Sequence, residues 1–411
     1  MNILLLGNGF DINYCLPTKY INFLHTVAYI GRLQNDKPAT VGTVFGAAEL
    51  QAVDEDIARS YQKYARFYDK VNLESSVIQQ LKKVASDNIW FEYLSKLVYK
   101  DIGWIDFEKE IGSVLVAFGA FRKDGSIRYS IDGWNGDRTI CKTLELFNFF
   151  SRRCKNETYQ VTHEYIITNP IVKDIKRINH EKIADYLEQK LIEFANGLKE
   201  YLRCFVDDVV LAMSAYSEIP VISAFEFTDT VITFNYTKTF EHLYGPAKVF
   251  HIHGDVHSRI VLGLNPDESD KIQNIDTTFL AFKKYYQRTV YRCEEEYLSW
   301  LTEEKQYKGT KSEDEISLLV MGHSLDETDK DILIELFDTV SSITILYHNE
   351  SSLRSLALNL VKMYGTDGLR ELRTQKRLRF LPLSDDFANF LEERKRTHKT
   401  ATERFVSTWF G

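Results

Sequence analysis

The chain has 411 residues, which allows two or three domains of ordinary size or one large α/β unit with an insertion. Hydrophobic residues make up 44% and charged residues 27%, and this globular composition excludes a disordered or collagen-like chain. The net charge of −8 is a poor electrostatic match for nucleic acid or an anionic membrane, so we expect neither as a partner.

The cysteines and the apolar runs indicate a reduced, cytoplasmic setting. The five cysteines are odd in number and form no CxxC pair, so no structural zinc is expected. The opening residues MNILLLGNGFD lack the basic start of a signal peptide, and no apolar run approaches the 18 residues of a membrane span.

The first predicted elements are a strand, a glycine turn and a helix. Residues 2–6 (NILLL) are typical of a buried, central parallel strand, and the run stops at Gly7. Glycines allow a phosphate to approach the backbone, and a helix N-terminus favours an anion, so the turn predicts a nucleotide-binding α/β domain. A third glycine is lacking, and a simple strand–helix turn remains the alternative.

A mainly helical block, residues 31–225, is predicted next. Residues 47–102 contain neither Gly nor Pro, and apolar residues recur at helical spacing there, in 102–120 and in 181–216. Residues 121–170 are less periodic and are predicted to be irregular with short strands. Asp106 and Glu110 share a helical face beside Trp104, which suits either an acid–base pair or, with better odds, a solvated face.

The α/β pattern then returns. Strands are predicted at residues 231–234, 248–253, 260–263, 316–321 and 343–347, and helices at 329–337 and 353–364. We therefore predict one nucleotide-binding α/β domain split between 1–30 and 226–384, followed by a helical tail at 385–411.

Polar residues gather where these strands end, which is where open α/β sheets bind ligands. Asn235 follows a buried strand and is either a ligand-binding amide or a turn residue. His251 and His253 alternate with apolar residues, so they could ligate a metal or supply a base. Asp326 is at least as well explained as a helix cap. The chain lacks the GxSxG, HExxH and P-loop motifs, which removes the main support for serine-hydrolase, zincin and Walker ATPase functions.

In this order the motifs resemble the bacteriophage abortive-infection AbiH family over nearly the whole chain. The stretches that carry the resemblance are GNGFDINYCLPTKYINFL, WIDFE, FNYT, HIHGD and GHSLDETDKDIL. That family is distantly similar to sirtuin-like NAD-binding domains, which implies a Rossmann-like parallel sheet interrupted by the helical insertion. The resemblance gives Asn235 and His253 the roles of the catalytic pair.

The resemblance also implies NAD as substrate or ligand. The backbone of Gly7, Asn8 and Gly9 would cradle the pyrophosphate, Ser324 and Asn349 would bind the adenosine side, and Asp11 would approach the nicotinamide ribose. The full set of implied NAD-binding residues is Gly7, Asn8, Gly9, Phe10, Asp11, Pro17, Thr18, Gly322, Ser324, Asp326 and Asn349.

Two departures from the sirtuin-like pattern bear on the activity. Thr237 stands where an acidic residue is expected, and the four zinc cysteines are absent. Both make protein deacylation a less suitable activity, and the sirtuin-like domains of NAD-consuming defence proteins are the closer comparison.

The sequence thus predicts an antiphage abortive-infection effector that binds NAD and hydrolyses its nicotinamide–ribose bond. A phage-derived or host trigger and a homo-oligomer are further expectations. One alternative is a non-catalytic nucleotide sensor. The other is a metal-dependent nuclease that uses Asp106, Glu108, His251 and His253, and the pI near 5.8 counts against it.

Overall fold

The computed structural model of the protein describes residues 1–34, 39–98, 107–123, 138–153, 158–161, 166–168, 176–178, 180–216, 225, 228–245, 247–264, 277–307 and 316–383. The predicted tail at 385–411 lies outside these residues, as do Trp104 and Asp106. No helix within the described ranges is both long and apolar enough to cross a membrane.

The elements of the first half are mostly helices. In chain order they are β1 (Asn2–Leu6), α1 (Gly9–Asn13), α2 (Tyr20–Gly31), β2 (Ala39–Thr40), α3 (Val41–Phe45), α4 (Ala48–Val53), α5 (Glu55–Tyr68), β3 (Asn72–Leu73), α6 (Ser75–Asp87), α7 (Ile89–Val98), α8 (Phe107–Lys123), α9 (Arg138–Leu146), β4 (Phe150–Arg153), β5 (Thr158–Val161), β6 (Ile166–Thr168), β7 (Lys176–Ile178), α10 (His180–Leu202) and α11 (Asp208–Ser214). A π-helical turn, Arg203–Asp207, joins α10 to α11, so the helix predicted over 181–216 is nearly continuous.

The second half alternates strands and helices. Its elements are β8 (Thr230–Thr233), α12 (Thr239–Tyr244), β9 (Lys248–His251), α13 (Lys284–Tyr291), α14 (Glu295–Tyr307), β10 (Ser317–Met321), α15 (Lys330–Thr339), β11 (Ser342–Tyr347), α16 (Glu350–Thr374) and β12 (Leu378–Pro382). Short 3-10 turns at Thr277–Phe282 and Glu327–Asp329 precede α13 and α15.

One six-stranded parallel sheet organises the structure, in the order β12-β11-β10-β1-β8-β9. β1 lies inside it, with Leu4 in register with Leu319 of β10 on one side and with Val231 of β8 on the other. The inner strands β1, β8 and β10 are buried on both faces over nearly their whole length, as a parallel sheet covered by helices requires. The predicted α/β class and the central position of β1 are confirmed.

The two faces of the sheet enter two hydrophobic cores. Leu4 and Leu6 of β1 join a large cluster that also contains Phe194 of α10. Ile3 and Leu5 point the other way, into a cluster with Leu336 of α15. This is the period-two alternation of a strand. The helical block therefore shares a core with one face of the sheet.

One predicted strand is wrong. Residues 260–263 form no strand, and only Leu264 pairs, in an isolated bridge with Lys283. The physical reason is a side chain: the amide of Gln287 accepts from the backbone N–H of Leu262 at 2.7 Å and donates to its carbonyl at 3.0 Å. The Gln287 side chain thereby forms the hydrogen bonds that the backbone N–H and carbonyl of Leu262 would otherwise make with a neighbouring strand. The edge strand β12 was not predicted.

Candidate functional site

The carboxyl ends of four neighbouring strands bring together most of the predicted site. Gly7 follows β1, Asn235 follows β8, His253 follows β9 and Gly322 follows β10. In parallel sheets this edge is where ligands bind. Residues far apart in the sequence thus meet as the strand pattern predicted.

The glycine turn packs against the turn after β10. The N–H of Gly7 donates to the Met321 carbonyl at 3.1 Å, and the N–H of Gly9 donates to the Gly322 carbonyl at 2.8 Å. A Cβ on Gly7 would lie 2.6 Å from Cα of His323, so only glycine permits this approach. These two amides are used inside the protein, and the contact between the two turns explains the glycines.

Asn235 ties the end of β8 to the glycine turn. Its buried side chain donates from Nδ2 to the carbonyl of Gly7 at 3.1 Å, and its own carbonyl accepts from Nδ1 of His251 at 3.0 Å. The first bond fixes the amide orientation. Among the described residues nothing donates to its Oδ1, which is left as a free acceptor.

His253 is the more enclosed of the predicted catalytic pair, with 4% of its surface exposed against 6% for Asn235. Its Nε2 lies 3.2 Å from Oδ1 of Asp329, and no described atom meets it in hydrogen-bonding geometry. Burial and the nearby Lys284 ammonium lower the pKa of His253 to about 4, against the opposing effect of Asp329. The imidazole is therefore neutral at physiological pH.

A buried ion cluster lies beneath this histidine. Nζ of Lys284, itself only 1% exposed, lies 2.7 Å from Oε1 of Glu108 and 2.8 Å from Oδ1 of Asp329. Burial alone would raise the pKa of Asp329, but Lys284 and His253 outweigh it and hold that pKa well below its usual range. Burial raises the pKa of Glu108, because Lys284 only partly offsets it and Asp329 adds to it.

His323 completes the cluster on the β10 side. Its Nδ1 accepts the backbone N–H of Leu325 at 2.9 Å, and its Nε2 faces Oδ2 of Asp329 at 3.5 Å. The ring of Phe234 packs against both histidines, with centroid distances of 5.2 Å to His253 and 4.4 Å to His323. One carboxylate thus faces two imidazoles that an aromatic ring holds in place.

Asp11 lies in a separate buried pocket of polar groups. Its Oδ2 accepts from the hydroxyl of Thr237 at 2.6 Å, while its Oδ1 has no partner among the described atoms. Burial raises its pKa to about 7, although the hydroxyls of Thr237 and Thr239 oppose the rise. Thr237, which stands where the sirtuin-like pattern has an acid, therefore contacts a carboxyl from the glycine-turn helix.

Several other predicted residues have local structural partners. Asp326 and Asn349 cap helical turns, accepting from the N–H of Thr328 at 3.1 Å and of Ser352 at 2.9 Å. The capping alternative for Asp326 is confirmed. Thr18 donates to the exposed Asn8 at 2.5 Å. Of the rest, Ser324 is exposed, Phe10 lies in the core, and the Pro17 carbonyl accepts from Tyr201.

The two histidines of the HIHGD motif belong to different pairs. His251 contacts Glu241 at 2.8 Å, whereas His253 contacts Asp329. The nuclease alternative used Glu108 as a metal ligand. In the structure the Glu108 carboxylate is instead paired with the Lys284 ammonium, which takes the position that a metal ion would need. Within the described ranges no three ligand-type side chains are gathered for a metal.

Sequence reasoning missed Lys284, His323 and Asp329. His323 and Asp329 lie within the GHSLDETD stretch that was singled out, and a polar side chain after a buried strand was a usable signal for His323. Asp329 was assigned only to a helix start. Nothing near Lys284 in the sequence marks it as buried.

The comparison with protein families matches the chain over nearly the whole of this site. The family described as Bacteriophage abortive infection AbiH matches residues 3–348, a range that includes the glycine turn, Glu108, His253 and Asp329. No curated protein and no solved structure matches the chain.

Proposed function

The chain belongs to the bacteriophage abortive infection AbiH family, and we propose that it is an antiphage effector that binds NAD at the carboxyl edge of its sheet and hydrolyses the nicotinamide–ribose bond. The family suggests the role in phage abortive infection. The observation that carries the chemistry is the neutral, buried His253 beside Asp329 at that edge.

The topology of the sheet supports a dinucleotide as ligand. Counted along the chain, the six strands stand in the order 6-5-4-1-2-3 across the sheet. This is the strand order of doubly wound, Rossmann-like folds, in which a dinucleotide lies across the crevice where the order reverses. Here the reversal falls between β1 and β10, where the two glycine turns meet.

Hydrolysis at this site needs a held ribose and a positioned water more than a strong acid. The carbon–nitrogen bond breaks with its electron pair moving to the nicotinamide ring, which becomes neutral, while the water oxygen bonds to the ribose carbon. Oδ1 of Asn235 accepts from a ribose hydroxyl or from that water. His253 takes the released proton, and the Asp329 carboxylate stabilises the imidazolium.

The polar groups at the rim suit the rest of the dinucleotide. Asn8 and Thr18 lie beside the glycine turn, and Ser324 and Asn349 follow the next two strands. We assign the first pair to the pyrophosphate and the second to the adenosine side. In this assignment side chains at the turn replace the amides of Gly7 and Gly9.

The experiment follows nicotinamide release from NAD by the purified protein, with and without lysate of phage-infected cells as trigger. We expect release that His253→Ala and Asn235→Ala abolish. His348→Ala, which removes an exposed histidine after β11, is the matched control and should retain activity. No release with the lysate, together with no NAD binding by calorimetry, would contradict the proposal.

A second candidate is a non-catalytic nucleotide sensor, which the low pKa of His253 favours because a base with a pKa of about 4 has little driving force to take a proton. The helical block, which shares a core with the sheet, would then relay occupancy to a partner. NAD binding without turnover, with His253→Ala changing affinity alone, distinguishes this candidate from the enzyme.

A further inference from the structure

The starting point is a lysine that connects the helical block to the sheet edge. Lys284 of α13 bridges Glu108, at the start of α8, and Asp329, just before α15. A buried ammonium with two charge-assisted contacts under 3 Å has little freedom to move. Asp329 is therefore held in one orientation and kept ionised.

The two oxygens of Asp329 face two imidazoles through the same ring atom. Oδ2 faces Nε2 of His323, and the proton of that ring must be on Nε2, because its Nδ1 already accepts from the backbone N–H of Leu325. Oδ1 faces Nε2 of His253.

The same tautomer follows for His253 from electrostatics. The contact lacks the alignment of a full hydrogen bond, but at 3.2 Å from a carboxylate oxygen the positive end of an N–H dipole on Nε2 is favoured over the negative charge of a lone pair. The lone pair of His253 is then on Nδ1, to which no described residue donates. The free nitrogen is the one available to a substrate.

We propose that Asp329 is the positioning residue of the site: held by Lys284, it fixes the Nε2–H tautomer of His253 and leaves Nδ1 as the atom that accepts the proton. This assignment rests on the proposed function for the identity of the proton donor, the attacking water. The water loses its proton to Nδ1 as its oxygen bonds to the ribose carbon.

Glu108 gives the helical block a part in this arrangement. With a neutral His253, the cluster contains two carboxylates and one ammonium, so a proton on Nδ1 brings its net charge to zero. Without Glu108, Lys284 would act on Asp329 alone and the imidazolium would lose one compensating charge. The charge of a protonated His253 is therefore fully compensated only when the helical block supplies the Glu108 carboxylate.

The first test measures the tautomer directly on the full wild-type chain. Nitrogen NMR of protein labelled at its histidines separates Nε2–H from Nδ1–H, and the His253 signal is assigned by its loss in His253→Gln. We expect an Nε2–H imidazole at neutral pH, and Asp329→Asn should shift it toward Nδ1–H. An Nδ1–H imidazole in the wild type would overturn the proposal. The measurement on the wild type stands even if the variant does not fold.

The second test is kinetic. Asp329→Asn should lower kcat for nicotinamide release by about 10²–10⁴-fold, the range of a base held in the wrong tautomer, and leave KM within about threefold. Asp338→Asn, at the exposed end of α15, is the matched control and should leave both unchanged. A normal kcat in Asp329→Asn would overturn the positioning role.

The two tests separate this proposal from the proposed function. If the wild type releases no nicotinamide but shows the Nε2–H tautomer and its shift in Asp329→Asn, the NADase function fails and the positioning role stands. If nicotinamide is released and the tautomer is Nδ1–H, the positioning role fails and the function stands.

Discussion

Replacing Lys284 by Met should destabilise the protein by about 3 kcal/mol or more. The substitution keeps an apolar stem of similar length but removes the cation between Glu108 and Asp329, which are 2.7 and 2.8 Å away. Removing one partner of a buried ion pair typically costs about 3–5 kcal/mol, because the remaining charge is left desolvated. We expect the lower end, since Glu108, whose pKa is already raised, can take up a proton.

The assay is urea unfolding of the wild type, Lys284→Met and the double variant Lys284→Met/Glu108→Gln. Stranded carboxylates have folded pKa values above their unfolded ones, so stability is retained in acid and lost as the pH rises. The loss from Lys284→Met should therefore be larger at pH 8 than at pH 5. The double variant should recover about 1 kcal/mol or more, because one stranded charge is gone.

Lys96→Met provides the matched control. Lys96 makes an equally short contact with Glu92, 2.8 Å, but with 35% and 49% of the two side chains exposed. An exposed pair of this kind contributes about 0–1 kcal/mol. If Lys284→Met costs no more than Lys96→Met, or costs the same at both pH values, the cluster is not the desolvated network described above.

Three further predictions concern the glycine turn, Asp11 and the base. Asp11→Asn should flatten the dependence of the unfolding free energy on pH between pH 4 and pH 7. The pKa of Asp11 is about 7 in the folded protein and 3.8 in the unfolded chain, so the wild type loses on the order of 4 kcal/mol of stability as the pH rises through that window. Equal pH profiles of the two proteins in urea unfolding would refute this. Gly7→Ala puts a methyl group 2.6 Å from Cα of His323 and should lower the urea midpoint more than Gly245→Ala, which meets no atom within 4 Å but has a φ of +77°; the reverse order would contradict the close contact. If His253 is the base, kcat/KM, which reports the free enzyme, should fall only below a pH of about 4, and an acid limb near pH 6.5 would show that its environment is not the one described.

The sequence could predict elements whose signal is local. Residues 2–6 are apolar on both faces and stop at a glycine, so both their strand and its central place in the sheet followed from the residues themselves. His253 could be predicted for the same reason, because a polar residue after a predicted strand is also a local signal. The strand predicted at residues 260–263 was wrong because the side chain of Gln287, from a helix further along the chain, bonds to the backbone of Leu262. No local pattern encodes that contact.

Lys284 shows the other limit of local patterns. A lysine is expected at the surface, and burial is affordable only with partners, which come here from α8 and from the turn before α15. Burial of this lysine is thus a property of three distant segments together. For that reason the sequence could not single out Lys284, although this residue holds the ion cluster of the site together.

The residues that were singled out divide by whether the structure already uses their polar atoms. Asp326 and Asn349 each use a side-chain oxygen to cap a helical turn. The backbone N–H groups of Gly7 and Gly9 donate to carbonyls at the end of β10 and in the turn after it. The side chain of Asn235 is different, because only its Nδ2 is bonded, to the carbonyl of Gly7, and its Oδ1 is left to accept from a ligand or water. This distinction favours Asn235 over the capping residues as a ligand contact.

The helical block belongs to the site as well as to the core. It covers the face of β1 that carries Leu4 and Leu6, and it contributes the Glu108 carboxylate that partly balances Lys284. Removing the block would expose that apolar face to water and strip the lysine of one of its two counter-charges at once. The boundary drawn from the sequence between block and sheet therefore separates two stretches of chain, but both the hydrophobic core and the ion cluster cross it.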